Sequence, residues 1–279
     1  VHKIQYFIVP DDIFSNAENW QYVMPIFMQI RFRTDFTGRC TTSPIRLLKA
    51  CGYKYLGPNK SKQQLEKVTE TLNYLVSEDF FYDPVDATTG EEITDFKNIS
   101  PSTFFEVTIN EDLCNTSVKG FCPIYPYLYE KLYKSYEKAA GVKLWRLLVI
   151  FCYFSKHVWK NWSFKYCMED VELYKKQRFE NPEYYGATIS HICERLGSSF
   201  SRSTVEKAIE YLDKYEIVHR RKIGSILSDN GSLIPLGSVF VLDKFGWKDE
   251  IEGATVLCRL EREQYFTKQP ISKEVKVTN

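Results

Sequence analysis

The chain predicts an α+β fold, mainly helical with small β-ribbons, arranged as two tandem units. Three observations lead there. One segment pattern occurs twice: an apolar helix, a short helix ending in Gly, a longer helix with one polar face, and two strands around a polar tip. The first copy holds residues 42–52 and 61–75, and the second holds 187–197 and 201–215, so that Gly52 aligns with Gly197, Leu65 with Val205 and Leu72 with Leu212. Finally, 279 residues with 44% apolar and 15% aromatic content suffice for two ordinary cores. The order of segments is that of a winged helix-turn-helix unit. The alternative is two unrelated helix–sheet segments in one α+β domain.

The elements follow in order. Residues 6–9 read as a short apolar strand before a Pro-Asp-Asp turn. Between Trp20 and Arg33, Tyr22, Val23, Ile26, Phe27 and Ile30 recur at helical spacing. Gly38 breaks that pattern. Thr42 or Ser43 can cap the next helix, with Pro44 in its first turn and Gly52 at its end. Ser61 is the expected cap of a helix whose buried stripe is Leu65, Val68, Leu72 and Leu75. Residues 80–82 and 104–109 read as strands around a long polar tip.

The first unit is therefore assigned to residues 1–112, a linker to 113–123, the second unit to 124–245 and a mixed tail to 246–279. In the second unit, Tyr129, Leu132, Tyr133 and Tyr136 mark one helix, and residues 143–159 a strongly apolar one. Residues 161–185 have no counterpart in the first copy. Ile189, Ile192, Cys193 and Leu196 repeat the short helix, and Val205, Ala208, Ile209 and Leu212 the long one. Residues 217–223 and 238–242 form the second wing.

Composition excludes several classes. The longest apolar run, residues 144–154, contains Arg146 and is too short to span a bilayer, so no membrane partner is expected. Val1-His2-Lys3-Ile4 lacks the shape of a signal peptide, and a cytoplasmic location is expected. The eight cysteines include no C-x-x-C pair, which argues for buried free thiols in a reducing compartment and against zinc. The net charge of +1 conceals an asymmetry: residues 1–115 carry 11 Lys/Arg against 16 Asp/Glu, and the rest carries 26 against 20. Phosphate contacts need local cationic surface, so the second half is the better anchor.

In helix-turn-helix proteins the start of the second helix reaches base edges. The candidates are Ser61, Lys62, Gln63, Gln64 and Lys67 in the first copy, and Ser201, Arg202, Ser203, Thr204 and Lys207 in the second. Arg202 suits guanine, and Gln63 or Gln64 adenine. Glu66, Glu70, Glu206 and Glu210 share those helices, and an ordinary solvated face would look similar. The densest basic run is His219-Arg220-Arg221-Lys222. On a strand, Arg220 and Lys222 would point together and Arg221 oppositely, to grip phosphate or to guard an edge strand.

Residues 56–61 fall short of a phosphate loop because the second Gly is absent, and no dinucleotide fingerprint occurs. The four histidines include no H-x-H pair for a metal-dependent nickase, so neither enzymatic activity, a cofactor nor a metal is expected. Trp145, Trp159 and Trp162 read as packing anchors before base-stacking residues.

With Val9-Pro10-Asp11-Asp12-Ile13-Phe14 as lead-in, the long apolar helices and the paired segments, residues 5–245 resemble plasmid and phage replication initiators built of two winged-helix units. The resemblance implies double-stranded DNA as partner, at repeated origin sequences, with one unit for dimer or backbone contacts and the other reading bases. Self-association and replication proteins such as a helicase are further implied partners. The insertion at 161–185 and the long first wing depart from that pattern. A transcriptional regulator and a replisome-loading adaptor remain open as alternatives.

Overall fold

A computed structural model describes residues 6–115, 121–136, 141–158, 171–228 and 230–268. Helix accounts for 53% and strand for 20%, with every strand in a small antiparallel sheet. The helix-dominated α+β class read from the sequence therefore holds.

The chain begins with strand β1 (Phe7–Pro10), the single turn α1 (Asp11–Phe14) and helix α2 (Val23–Arg33). β2 (Arg39–Thr42), α3 (Pro44–Ala50), α4 (Lys62–Ser77), β3 (Phe81–Asp86) and β4 (Phe105–Ile109) follow. Next come α5 (Glu111–Asn115), β5 (Phe121–Ile124), α6 (Pro126–Ser135), α7 (Leu144–Val158) and α8 (Val171–Glu180). β6 (Tyr185–Ala187), α9 (Ile189–Leu196), α10 (Arg202–Lys214), β7 (Val218–Leu227), β8 (Leu233–Leu242) and α11 (Trp247–Lys268) complete the chain.

One order of elements thus recurs: strand, short helix, long helix, strand, strand. In both copies the last strand is central, giving sheets β2-β4-β3 and β6-β8-β7. Local chemistry explains the helices. Leu65, Val68, Leu72 and Leu75 are all buried along one stripe of α4. The Thr188 hydroxyl accepts from the His191 amide at 3.2 Å and starts α9. Ser201 does the same for Thr204 at 3.2 Å and starts α10. The aligned Gly52 and Gly197 both take positive φ, +84° and +74°, where a Cβ would be strained. Ser61 departs from expectation. It precedes α4, but its buried hydroxyl accepts from the Leu56 amide at 2.9 Å and closes the preceding loop instead of capping the helix.

The described chain divides into two compact units, residues 1–156 with 210–217, and residues 157–209 with 218–279. The boundary differs from the one expected at 113–123. Residues 121–123 of that expected linker are strand, because β5 pairs antiparallel with β1, Phe7 opposite Ile124. α10 runs across the division.

In the first unit Phe27 stacks on Phe81 (5.9 Å, 4°) and meets Phe80 edge-on at 5.9 Å. α7 is buried on almost all sides, with Leu147 through Phe151 at zero exposure, as expected of a helix without a polar face. Ser155 donates to the Pro123 carbonyl, and Tyr129 to Gln29 at 3.0 Å.

In the second unit, the sheet packs Ile223, Leu236, Val239 and Val241 against Ile251, Ala254 and Cys258 of α11. The expected tail is therefore partly a core helix. Its partner α8 lies within the expected insertion, and residues 159–170 lie outside the described residues. At Gly253 a Cβ would sit 1.9 Å from the Phe179 carbonyl oxygen, so glycine permits the close approach of α8 and α11. Arg178, 2% exposed, donates to buried Glu250 at 2.7 Å and to Glu183 at 3.3 Å, and Lys244 pairs with Glu183.

Candidate nucleic-acid interface

The two long helices present different surfaces. On α4, Lys62 and Gln63 are exposed and Gln64 is half-buried. Lys62 lies 3.9 Å from Glu66, and Lys67 is 2.8 Å from Glu70, which Lys97 also reaches at 3.6 Å. The Lys67 hydrogen bond, followed by the attraction of Lys67 and Lys97, holds Glu70 below the ordinary carboxylate pKa. Each positive charge on this face therefore has an acid beside it. Ser61 is buried and is withdrawn as a contact residue, since its hydroxyl is committed to the loop.

On α10, Ser201, Arg202, Ser203 and Lys207 are exposed and Thr204 is half-buried. Ser201 and Thr204 share a 2.9 Å hydroxyl contact, which orders the first turn. Arg202 Nε donates to Glu206 at 3.1 Å. Lys207 has no ion pair among the described residues and stands as a free cation one turn along.

The strand pairs that follow these helices differ more. In the first copy, residues 87–104 fold back. Phe96 is 1% exposed and packs edge-on against Phe105 at 4.9 Å, and Ile93 is buried beside it. Asn73 of α4 accepts from the Phe96 amide at 3.0 Å and donates to Asp95 at 2.6 Å. The Thr88 and Thr89 backbone amides donate to the Asp86 carboxylate, and with the Val85–Glu92 bridge they tighten the turn.

In the second copy β7 and β8 run ten residues each, packed through Ile223, Ile226, Leu236, Val239 and Val241 on α11 and exposed at their tip. It ends on Leu227 opposite Leu233, 69% and 71% exposed, around a turn closed by Gly231 N to Ser228 O at 2.9 Å. β7 is an edge strand of its sheet.

The basic run at the foot of this ribbon separates into three environments. His219 departs from the expected phosphate contact: it is 5% exposed, with Nε2 2.9 Å from Asp243 and its ring stacked on Trp247 at 3.4 Å and 10°. An imidazole so enclosed fastens the strand to the start of α11 and offers nothing to a phosphate. Arg220 and Lys222 share a face, as the alternation predicts, and Arg220 Nε donates to Ser238 at 3.1 Å. Arg221 faces oppositely and lies 3.9 Å from Glu252 of α11. Lys222 is exposed and has no ion pair among the described residues.

Of the cations expected at the interface of this copy, Lys207 and Lys222 therefore have no acid partner among the described residues, whereas Arg202 and Arg221 are acid-paired. Lys97, Glu252, Leu227 and Leu233 were missed in the sequence. The period-2 pattern ending at Leu227 and the spacing of Ile251, Ala254 and Cys258 were the available signals.

Among the described residues no group of three or more His, Cys, Asp or Glu is placed to hold a metal, and no helix is long and apolar enough to cross a membrane. Cys40, Cys51, Cys122, Cys152, Cys193 and Cys258 are free thiols, and all but Cys193 are buried. Burial pushes the Cys40 thiol up to about 11 and Cys51 higher still. No family model, curated protein or solved structure matches the chain.

Proposed function

We propose that both copies are winged-helix units and that the protein binds double-stranded DNA, with the second copy as the reader. The observation that carries this reading is the pairing of a ten-residue ribbon with an ordered, exposed helix start in one unit. A helix start offers free backbone amides and a favourable dipole to phosphate. Arg202, Ser203 and Lys207 on its surface suit base edges and backbone, and Lys222 suits phosphate beside the groove. The uncharged leucine tip is of the kind that enters a minor groove. The first copy, with its acid-paired helix and folded wing, serves to position, dimerise or dock. Binding of repeated origin sequences by a replication initiator is the process this division of labour fits.

Fluorescence anisotropy with duplexes of varied sequence, titrated at several salt concentrations, tests the reading. Affinity should fall with salt, and Arg202→Ala should relax sequence preference by about 1–3 kcal/mol at its base. Binding that ignores both salt and sequence would overturn it.

A further inference from the structure

The first unit carries a cavity that duplex binding by the second does not use. It measures about 880 Å³ and opens between the loop after α3 and the end of α6. Lys49, Tyr53, Lys54, Tyr55, Tyr133 and Tyr136 line it, and among the described residues its lining includes no carboxylate. Lys49 and Lys54 are exposed and have no ion pair among the described residues, in contrast to the lysines of α4.

Two of the rings are held in place. Tyr22 stacks on Tyr53 at 5.7 Å and 10°, and the Gln21 amide donates to the Tyr53 hydroxyl at 2.5 Å. Tyr133 stacks on Tyr129 at 6.3 Å and 25°, and Tyr129 is itself buried and bonded to Gln29. Gly52 sets the floor: a Cβ there would lie 2.9 Å from Leu144 Cβ and 3.4 Å from the Tyr136 hydroxyl. The loop thus stays close to Tyr136 because it turns on glycine.

Four phenol rings beside two free ammonium groups select a ligand that is flat and apolar at one end and anionic at the other. Aromatic rings stack on any nucleobase, and a wall with two lysines attracts phosphate. The size is that of a small-molecule site. An acidic peptide would engage the lysines but leave the ring faces unused.

We propose that this cavity binds a nucleotide, with the base stacked on the tyrosines and the phosphate held by Lys49 and Lys54. The nucleotide is either free or one unit of a single strand, since both present the same base and phosphate.

Calorimetric titration of the full chain with thymidine monophosphate, with thymidine and with a short oligothymidylate tests this. The expected result is binding of a phosphate-bearing probe, much weaker binding of thymidine, and a loss of about tenfold or more in Lys49→Glu/Lys54→Glu and in Tyr55→Ala. Lys49→Arg/Lys54→Arg and Tyr55→Phe should retain binding, which separates site loss from misfolding. An oligothymidylate bound about a hundredfold tighter than the mononucleotide assigns the site to single strands, and a smaller gap assigns it to free nucleotides. If neither phosphate-bearing probe binds at millimolar concentration, or the variants bind as the parent does, the proposal fails. Duplex affinity should be unchanged in all of these variants, so this failure is distinct from failure of the duplex reading.

Discussion

The two copies share a strand order but use the polar stretch after the long helix in opposite ways. The first turns it inward, with Phe96 against Phe105 and Asn73 of α4 holding Asp95 and the Phe96 amide. The second extends it as a ribbon with leucines at its end. A loop packed on its own helix gains stability and loses reach. A ribbon with an exposed tip keeps reach and needs support elsewhere, which α11 supplies by packing on the sheet and α8 by the buried Arg178–Glu250 pair. The comparison teaches that one topology yields a closed surface or an open one according to whether the loop carries an aromatic residue to bury.

That contrast can be broken first at its support. Replacing Arg178 with Met leaves Glu250 buried without its cation and should cost the second unit about 3–5 kcal/mol, read by urea unfolding. Burial of this pair holds no surplus if the loss is under 1 kcal/mol. Slightly smaller is the effect of Phe96→Ala, about 3 kcal/mol, with new protease cleavage between residues 87 and 104 as the folded loop is released. An unchanged cleavage pattern would mean that the Asn73 bonds alone hold the loop.

The functional contrast comes next. Lys207→Ala/Lys222→Ala should weaken all duplexes and lower the salt slope by about 1 per lysine. Lys62→Ala/Lys67→Ala should leave both within error, because those charges are matched by Glu66 and Glu70. Equal losses from the two pairs would erase the distinction between the copies.

The smallest effect is in pH. Burial raises the Glu183 pKa, but Lys244 and Arg178 outweigh it and hold the carboxyl below its ordinary value of 4.5. A depressed folded pKa contributes stability that is present above the unfolded value and is lost as pH falls through the folded one. Thermal melts should therefore be flat for this group above pH 4.5 and decline below it, and the decline should be shallower in Glu183→Gln.

The sequence disclosed what rests on period. The stripe of α4, the apolar α7, the aligned glycines and the alternation of Arg220 with Lys222 were all legible. It hid what rests on distant partners. Residues 121–123 read as linker because their mate, β1, lies more than a hundred positions away. Ile93 and Phe96 were lost in a polar stretch because isolated apolar residues carry no period. His219 read as part of a basic run, and only the packing of Trp247 and Asp243 around it showed its structural role. Of the candidate interface, residue types were legible, whereas which cations are matched by acids was not.

The passage of α10 across the division between units has a consequence for synthesis. Residues 210–217 belong with the first unit, although residues 157–209, which precede them, belong with the second. Chains emerge from the ribosome from the N-terminus, and domains fold as they are completed. Here the first unit lacks its last segment until residue 217 has emerged, when residues 157–209 of the second are already out. No single cut releases either unit whole, and a fragment ending at residue 156 leaves the first unit without its closing segment.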